Sequence, residues 1–204
     1  MVKIKKITNK ELLLDTTMQI IAEGGLAFFS MRQVTDACGV SDSLIYRHYE
    51  TKEKLLFQCY LRVEQKIQAL FEQEAIPVIE TREDLCRHIH DIWIKYISFL
   101  VQNPYQTIFY FEYRDSKYYR SEKAVDRMPF CFWSARAFLE QHANCKLRLE
   151  YCRMYLSDVT GSFARRMIGG ELSSDSESME LIWNLLWSGF SNLVKSGEVY
   201  KTLR

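Results

Sequence analysis

Apolar residues recur along this chain mostly at helical spacing. Between residues 8 and 23, Leu13, Leu14, Thr17, Ile20 and Ile21 share one face, and Gly24 and Gly25 follow as left-handed stop residues. Ser30 then precedes "MRQVTDAC", where Gln33 can close a capping box with it, and Met31, Val34, Thr35 and Cys38 fall at i, i+3, i+4 and i+7. The pattern predicts a second helix that stops at Gly39, a residue free to take the positive φ of a tight turn. A third, short helix capped by Ser41 follows. Its inner face is Ile45 and Tyr49, and Ser43 and Arg47, also four apart, lie opposite.

Thr51 caps a fourth helix, "KEKLLFQCYLRVEQKIQALFEQE", whose end is marked by Pro77. The remainder reads as helix after helix. "TREDLCRHIHDIWIKYISFLVQN" is stopped by Pro104, "PYQTIFYFEYRDSKYY" is short and aromatic, and the next stretch carries Pro129 in its middle, where a kink is expected. Two long helices close the chain, one ending on the paired glycines 169 and 170 and the other on Gly197. The expectation is an all-α protein of about nine helices, with a helix-turn-helix at residues 30–49. A domain boundary on the connecting helix gives 1–60 and 61–204.

Composition agrees with this picture. The 204 residues are 48% hydrophobic and 26% charged, and 8 glycines and 3 prolines leave room for long helices. A net charge of +1 gives no global field toward nucleic acid or anionic membrane, so any such binding is local. Lys3, Lys5, Lys6 and Lys10 make one basic patch, equally readable as a solvated terminus. No apolar run is long enough for a membrane span or a signal-peptide core, so a cytoplasmic protein without membrane partners is expected.

Six cysteines stand in apolar helical runs without a CxxC pair, which suggests buried, reduced thiols. Cys86 and His90 share a helical face with His88 between them, and His142 lies near Cys145. Two ligands do not make a site, and no metal or cofactor is expected. No nucleophile–base pair, paired carboxylates or phosphate loop stands at a defensible spacing, so no catalytic residue is assigned and no enzyme is expected.

The string "LLDTTMQIIAEGGLAFFSMRQVTDACGVSDSLIYRHYETKEKL" carries a resemblance. "IIAEGGLAFFSMRQV", "ACGV", "IYRHY" and "TKEKL" follow one another at the spacing of the DNA-binding domain of the tetracycline-repressor (TetR) family, which this stretch resembles over roughly residues 10 to 57. Thr35 and Cys38 depart from the family's usual small alanines. "SDSLIY" departs from its more frequent basic or glycine-containing opening, which bears on operator sequence.

The resemblance implies phosphate contacts from Ser30, Arg32, Tyr46, His48 and Lys52, and base-edge contacts from Asp42, Ser43, Leu44 and Arg47, beside the cap residue Ser41. The chemistry is consistent with those roles: Arg47 can bond a guanine O6/N7 pair, and Leu44 can pack on a thymine methyl. Asp42 repels phosphate. It can accept from a cytosine amino group, or it can simply favour the positive end of its helix.

The resemblance also implies a small-molecule inducer site in the aromatic middle of the chain, with Trp93, Tyr96, Phe109, Tyr110, Tyr113, Phe130 and Trp133 as candidates. Aromatic side chains build helical cores as well, and both readings stand for each residue. The last two helices are apolar on more than one face, so a partner surface is expected there, with Tyr155, Phe163, Ile182, Leu186 and Phe190 as candidates and Gly161 with Ser162 allowing close approach. The implied protein is a one-component transcription regulator, a homodimeric repressor of palindromic double-stranded operator DNA released by an inducer. An activator of the same family is the alternative, with a helical enzyme or an adaptor as rivals from other classes.

Overall fold

A computed structural model describes residues 9–71, 78–119 and 146–195. Among the described residues every regular element is helical, which makes the chain all-α. The α-helices are α1 (Asn9–Gly24), α2 (Met31–Cys38), α3 (Asp42–Tyr49), α4 (Lys52–Ala69), α5 (Arg82–Gln102), α6 (Pro104–Arg114), α7 (Lys146–Ile168) and α8 (Ser176–Lys195), with a 3-10 turn at Leu26–Phe28 between α1 and α2. The expected kink at Pro129, the lysines 3, 5 and 6, His142, Cys145, Gly197 and the aromatic candidates Phe130 and Trp133 lie outside the described residues.

Helix ends follow local chemistry. The Gln33 side chain accepts from the Ser30 backbone N–H at 2.7 Å, which fixes the start of α2, and Gly39 takes the left-handed conformation at its end. Thr51 caps α4 through the Lys54 N–H at 3.2 Å. A reciprocal Thr81–Asp84 box opens α5, Pro104 occupies the first turn of α6, and Asp175 accepts from the Ser178 N–H at 2.8 Å to open α8.

Three expectations are corrected. Gly24 is the last residue of α1, and Gly25 alone of that pair has a positive φ, 82°. The fourth helix ends at Ala69, because Leu70 and Phe71 bond back to Ile67 and Gln68 in tighter i→i−3 turns. In the Ser41 cap, the hydroxyl meets Ser43 Oγ at 2.9 Å and leaves the helix backbone uncapped.

The described residues form two compact units. The first comprises residues 9–66 and 103–119. Its core is built from Leu13, Leu14, Met18 and Ile21 of α1, Met31 and Val34 of α2, Ile45 and Tyr49 of α3, Leu55, Leu56, Cys59 and Val63 of α4, and Phe109 of α6. Met18 holds the buried place that periodicity gave to Ile20, which is half-buried, and Cys38 is half-buried as well. Thr17 is tolerated in this core because its hydroxyl donates to the Leu13 carbonyl at 2.7 Å. Helix α6 packs along α1.

The second unit comprises residues 67–71, 78–102 and 146–195. Here α5 packs on α7, and α7 on α8. Trp93 donates from Nε1 to Thr160 Oγ1 at 3.1 Å, which satisfies two buried polar groups at once. Gly189 marks a close approach of α8 to α7, for a Cβ placed there would stand 2.5 Å from the Tyr155 hydroxyl oxygen. Among the described residues, no helix is long and apolar enough to cross a membrane.

Candidate nucleic-acid interface

Helix α3 is anchored by Ile45 and Tyr49, 0% and 2% exposed, and its opposite side is open. Ser41, Asp42, Ser43, Tyr46, Arg47 and His48 are all exposed, and Leu44 is half-buried. Burial of two residues four apart thus fixes which face the helix turns outward. That face carries a guanidinium, a phenol, an imidazole and two serine hydroxyls, a set suited to base edges and phosphate oxygens. Burial holds the Tyr49 hydroxyl in its neutral form, and it donates to the Lys10 carbonyl at 3.2 Å, tying the end of α3 to the start of α1.

The angle between α2 and α3 is held by a polar contact across the turn. Thr35 Oγ1 lies 2.6 Å from Asp42 Oδ1 and 3.0 Å from the Arg32 carbonyl. A hydroxyl has one proton, and the shorter contact to an ionised oxygen takes it. Asp42 therefore spends one carboxylate oxygen inside the motif and keeps the other toward solvent. Neither cytosine recognition nor a dipole effect alone describes this residue.

Around α3, Ser30 and Arg32 are exposed at the start of α2, where Arg32 pairs with Asp36 at 3.7 Å. Such an exposed pair is weak and leaves the guanidinium available. Lys52 is half-buried, its amine donating to the Phe29 carbonyl and lying 5.1 Å over the Phe29 ring and 5.5 Å over the Tyr118 ring. Between α3 and α4, Glu50 has φ 59° and ψ −49°, and the Thr51 N–H bonds the Tyr49 carbonyl at 2.6 Å. That is a γ-turn of the rare, strained hand, carried by a residue with a side chain.

The aromatic candidates separate into different surroundings. Phe109, Tyr110 and Tyr113 belong to the first unit, where Tyr110 stacks on Tyr60 at 5.4 Å and donates to Glu64 Oε1 at 2.5 Å. Tyr60 donates to the same oxygen at 2.8 Å, and burial beside that carboxylate raises its pKa strongly. Tyr113 donates to the Tyr118 carbonyl at 3.2 Å and is pushed up to about 12 by burial. In the second unit Trp93 is buried against Trp183 at 5.6 Å, and Tyr96 is half-buried.

Of the partner-surface candidates, Ile182, Leu186 and Phe190 point into the chain's own core, while Tyr155 and Phe163 are half-buried. Among the described side chains of α8, Leu181 and Leu185 are turned outward, 63% and 57% exposed. Gly161 is buried and Ser162 exposed. As for sensing chemistry, burial raises the Cys86 thiol and lowers the His88 imidazole, so both favour their neutral forms. Among the described residues no group of three or more His, Cys, Asp or Glu converges on a metal position.

Three contributors were missed by sequence reasoning. Thr35 and Asp42 are seven apart across a turn, which no single-helix period relates. Glu112 accepts from the Leu26 N–H at 2.8 Å across 86 residues, and Glu64 gathers tyrosines from two helices.

A capped helix, a left-handed glycine turn and a short helix with its polar face free form a helix-turn-helix, and on an all-helical chain this is the build of a DNA-binding transcription regulator. Residues 13–59 match the family model of bacterial regulatory proteins of the tetR family. The chain carries, over that stretch, a segment similar to the DNA-binding module of this family. Its fold is similar to solved structures of TetR-family regulators from Marinobacter aquaeolei VT8 (18% identity, 88% of this chain and 93% of that one, TM-score 0.67) and Haemophilus influenzae Rd (18% identity, 88% and 94%, TM-score 0.65). A third, from Rhodococcus sp. RHA1, is 20% identical over 93% of this chain and 99% of that one, with a TM-score of 0.57. At such identities the likeness is one of fold. Comparison with curated proteins gives no match.

Proposed function

We propose that this regulator is a cytoplasmic, homodimeric repressor that binds a palindromic operator and is released by a small molecule. The observation that carries the DNA reading is the exposed face of α3, set by the burial of Ile45 and Tyr49. On this reading Arg47, Ser43 and Leu44 meet base edges, joined by the solvent-facing oxygen of Asp42. Ser30, Arg32, Tyr46 and His48, with the half-buried Lys52, supply phosphate contacts.

Residues 1–60 would hold the DNA-reading module, and residues 61–204 most of the effector-binding and dimerisation surface. Two-fold symmetry presents two copies of α3 to half-sites one helical turn apart. An inducer that favours the non-binding arrangement weakens operator affinity by its coupling free energy, typically about 1–3 kcal/mol.

Selection of bound duplexes from a random pool tests this directly. A palindromic site should be enriched, and Arg47→Ala should relax the preference at one position per half-site, costing about 1–3 kcal/mol there. Arg32→Ala should weaken all duplexes alike and lower the salt slope. Enrichment of no palindrome would remove operator binding from the reading.

A further inference from the structure

The connection between α1 and α2 is short, and its polar groups are satisfied from outside the helix-turn-helix. Its 3-10 turn begins after Gly25, which has no side chain with which to cap, so the Leu26 N–H has no local partner. Leu26 is buried, and water does not substitute. Glu112 of α6 fills the place, its Oε2 accepting from the Leu26 N–H at 2.8 Å.

The other end of the connection is held in a similar way. The Phe29 carbonyl accepts from Lys52, whose amine also faces the ring of Tyr118 at 5.5 Å. Residues 26–29 are thus pinned at both ends, each time with a residue of the 103–119 segment close by. Ser30, the cap of α2, follows at once, and Arg32 stands in the first turn of that helix.

We infer that Glu112 is a positioning residue for DNA binding: from a distant segment its carboxylate caps the α1–α2 connection and so sets where Ser30 and Arg32 meet phosphate. The inference rests on the DNA reading proposed above. Glu112 itself touches no DNA in this scheme. Its acceptor oxygen matters more than its charge, because what it satisfies is a neutral backbone donor.

Three substitutions are compared on the duplex that the unsubstituted chain enriches from a random pool, at a temperature where each variant is folded by circular dichroism. Glu112→Ala removes the acceptor, and affinity should fall about tenfold, with fast hydrogen exchange at the Leu26 amide. Glu112→Gln keeps an acceptor and should restore both amide protection and affinity. Val63→Ala lowers stability from the core of α4 without touching the connection, and should leave affinity unchanged.

Unchanged affinity in Glu112→Ala despite an unprotected Leu26 amide would overturn the inference, as would a Gln variant as impaired as Ala. If the unsubstituted chain enriches no duplex, the DNA reading itself falls and the inference falls with it. That outcome is distinct from normal selection with an unaffected Glu112→Ala.

Discussion

Glu50 is the only non-glycine residue with a positive φ among the described residues, and it sits at the corner between α3 and α4. Three effects compete there. The strained conformation costs a side-chain-bearing residue on the order of 1–3 kcal/mol, whereas glycine adopts it freely. Against that, glycine gives the unfolded chain extra freedom worth about 0.5–1 kcal/mol. The contact of Glu50 with Lys54 at 2.5 Å would also be lost, but both side chains are largely exposed and the pair counts for little. Relief of strain is the largest of the three. Glu50→Gly should therefore raise unfolding stability by about 1 kcal/mol in urea titrations. A loss of stability would mean that the turn is held without strain or that the Lys54 contact outweighs it.

At the scale of elements, the geometry of the motif depends on one bond between α2 and α3. Thr35→Val removes the donor at nearly constant volume, and Asp42→Ala removes the acceptor, so each should cost about 1 kcal/mol of stability. Because both act on one bond, the double variant should cost no more than the worse single variant, while Asp42→Asn retains an oxygen acceptor and most of the stability. Additive losses in the urea midpoints would show that the two side chains act separately. How far such features are legible in a sequence depends on their range. The starts of α2 and α4, the turn at Gly39 and the outward face of α3 are local, and capping rules with four-residue spacing are enough to read them. The Thr35–Asp42 bond crosses a turn, and Glu112 meets Leu26 across 86 residues, so neither leaves a periodic trace. For Ile182, Leu186 and Phe190, which are buried within the chain, the limit is of another kind. Periodicity says which residues share a face, but not whether that face is covered by the same chain or by another.

For the whole molecule, the proposed binding of a palindrome would call for a second copy, and we propose the outward residues of α7 and α8 as its place. On α8, Leu181 and Leu185 are one turn apart and more than half exposed; on α7, Tyr151 and Met154 are also outward, with 55% and 42% exposure. A stable interface buries about 1,200–2,000 Å² in all, so these four residues would supply only a part of it. Placing charge on Leu181 and Leu185 would cost the proposed dimer much and the folded chain little, since neither leucine is part of the core. Leu181→Lys with Leu185→Lys should therefore yield a monomer by light scattering, with helical circular dichroism and thermal unfolding close to those of the unsubstituted chain. Affinity for the full palindrome should fall by about 100-fold or more, because binding at one half-site no longer delivers the second reading helix to the other. Affinity for an isolated half-site should hardly change. In Ile182→Ala and Leu186→Ala, which hollow the core, the order of effects should reverse, with unfolding stability falling by about 2–5 kcal/mol each before the oligomeric state changes. A doubly lysine-substituted chain that stayed dimeric would place the two-fold contact on another face of the molecule.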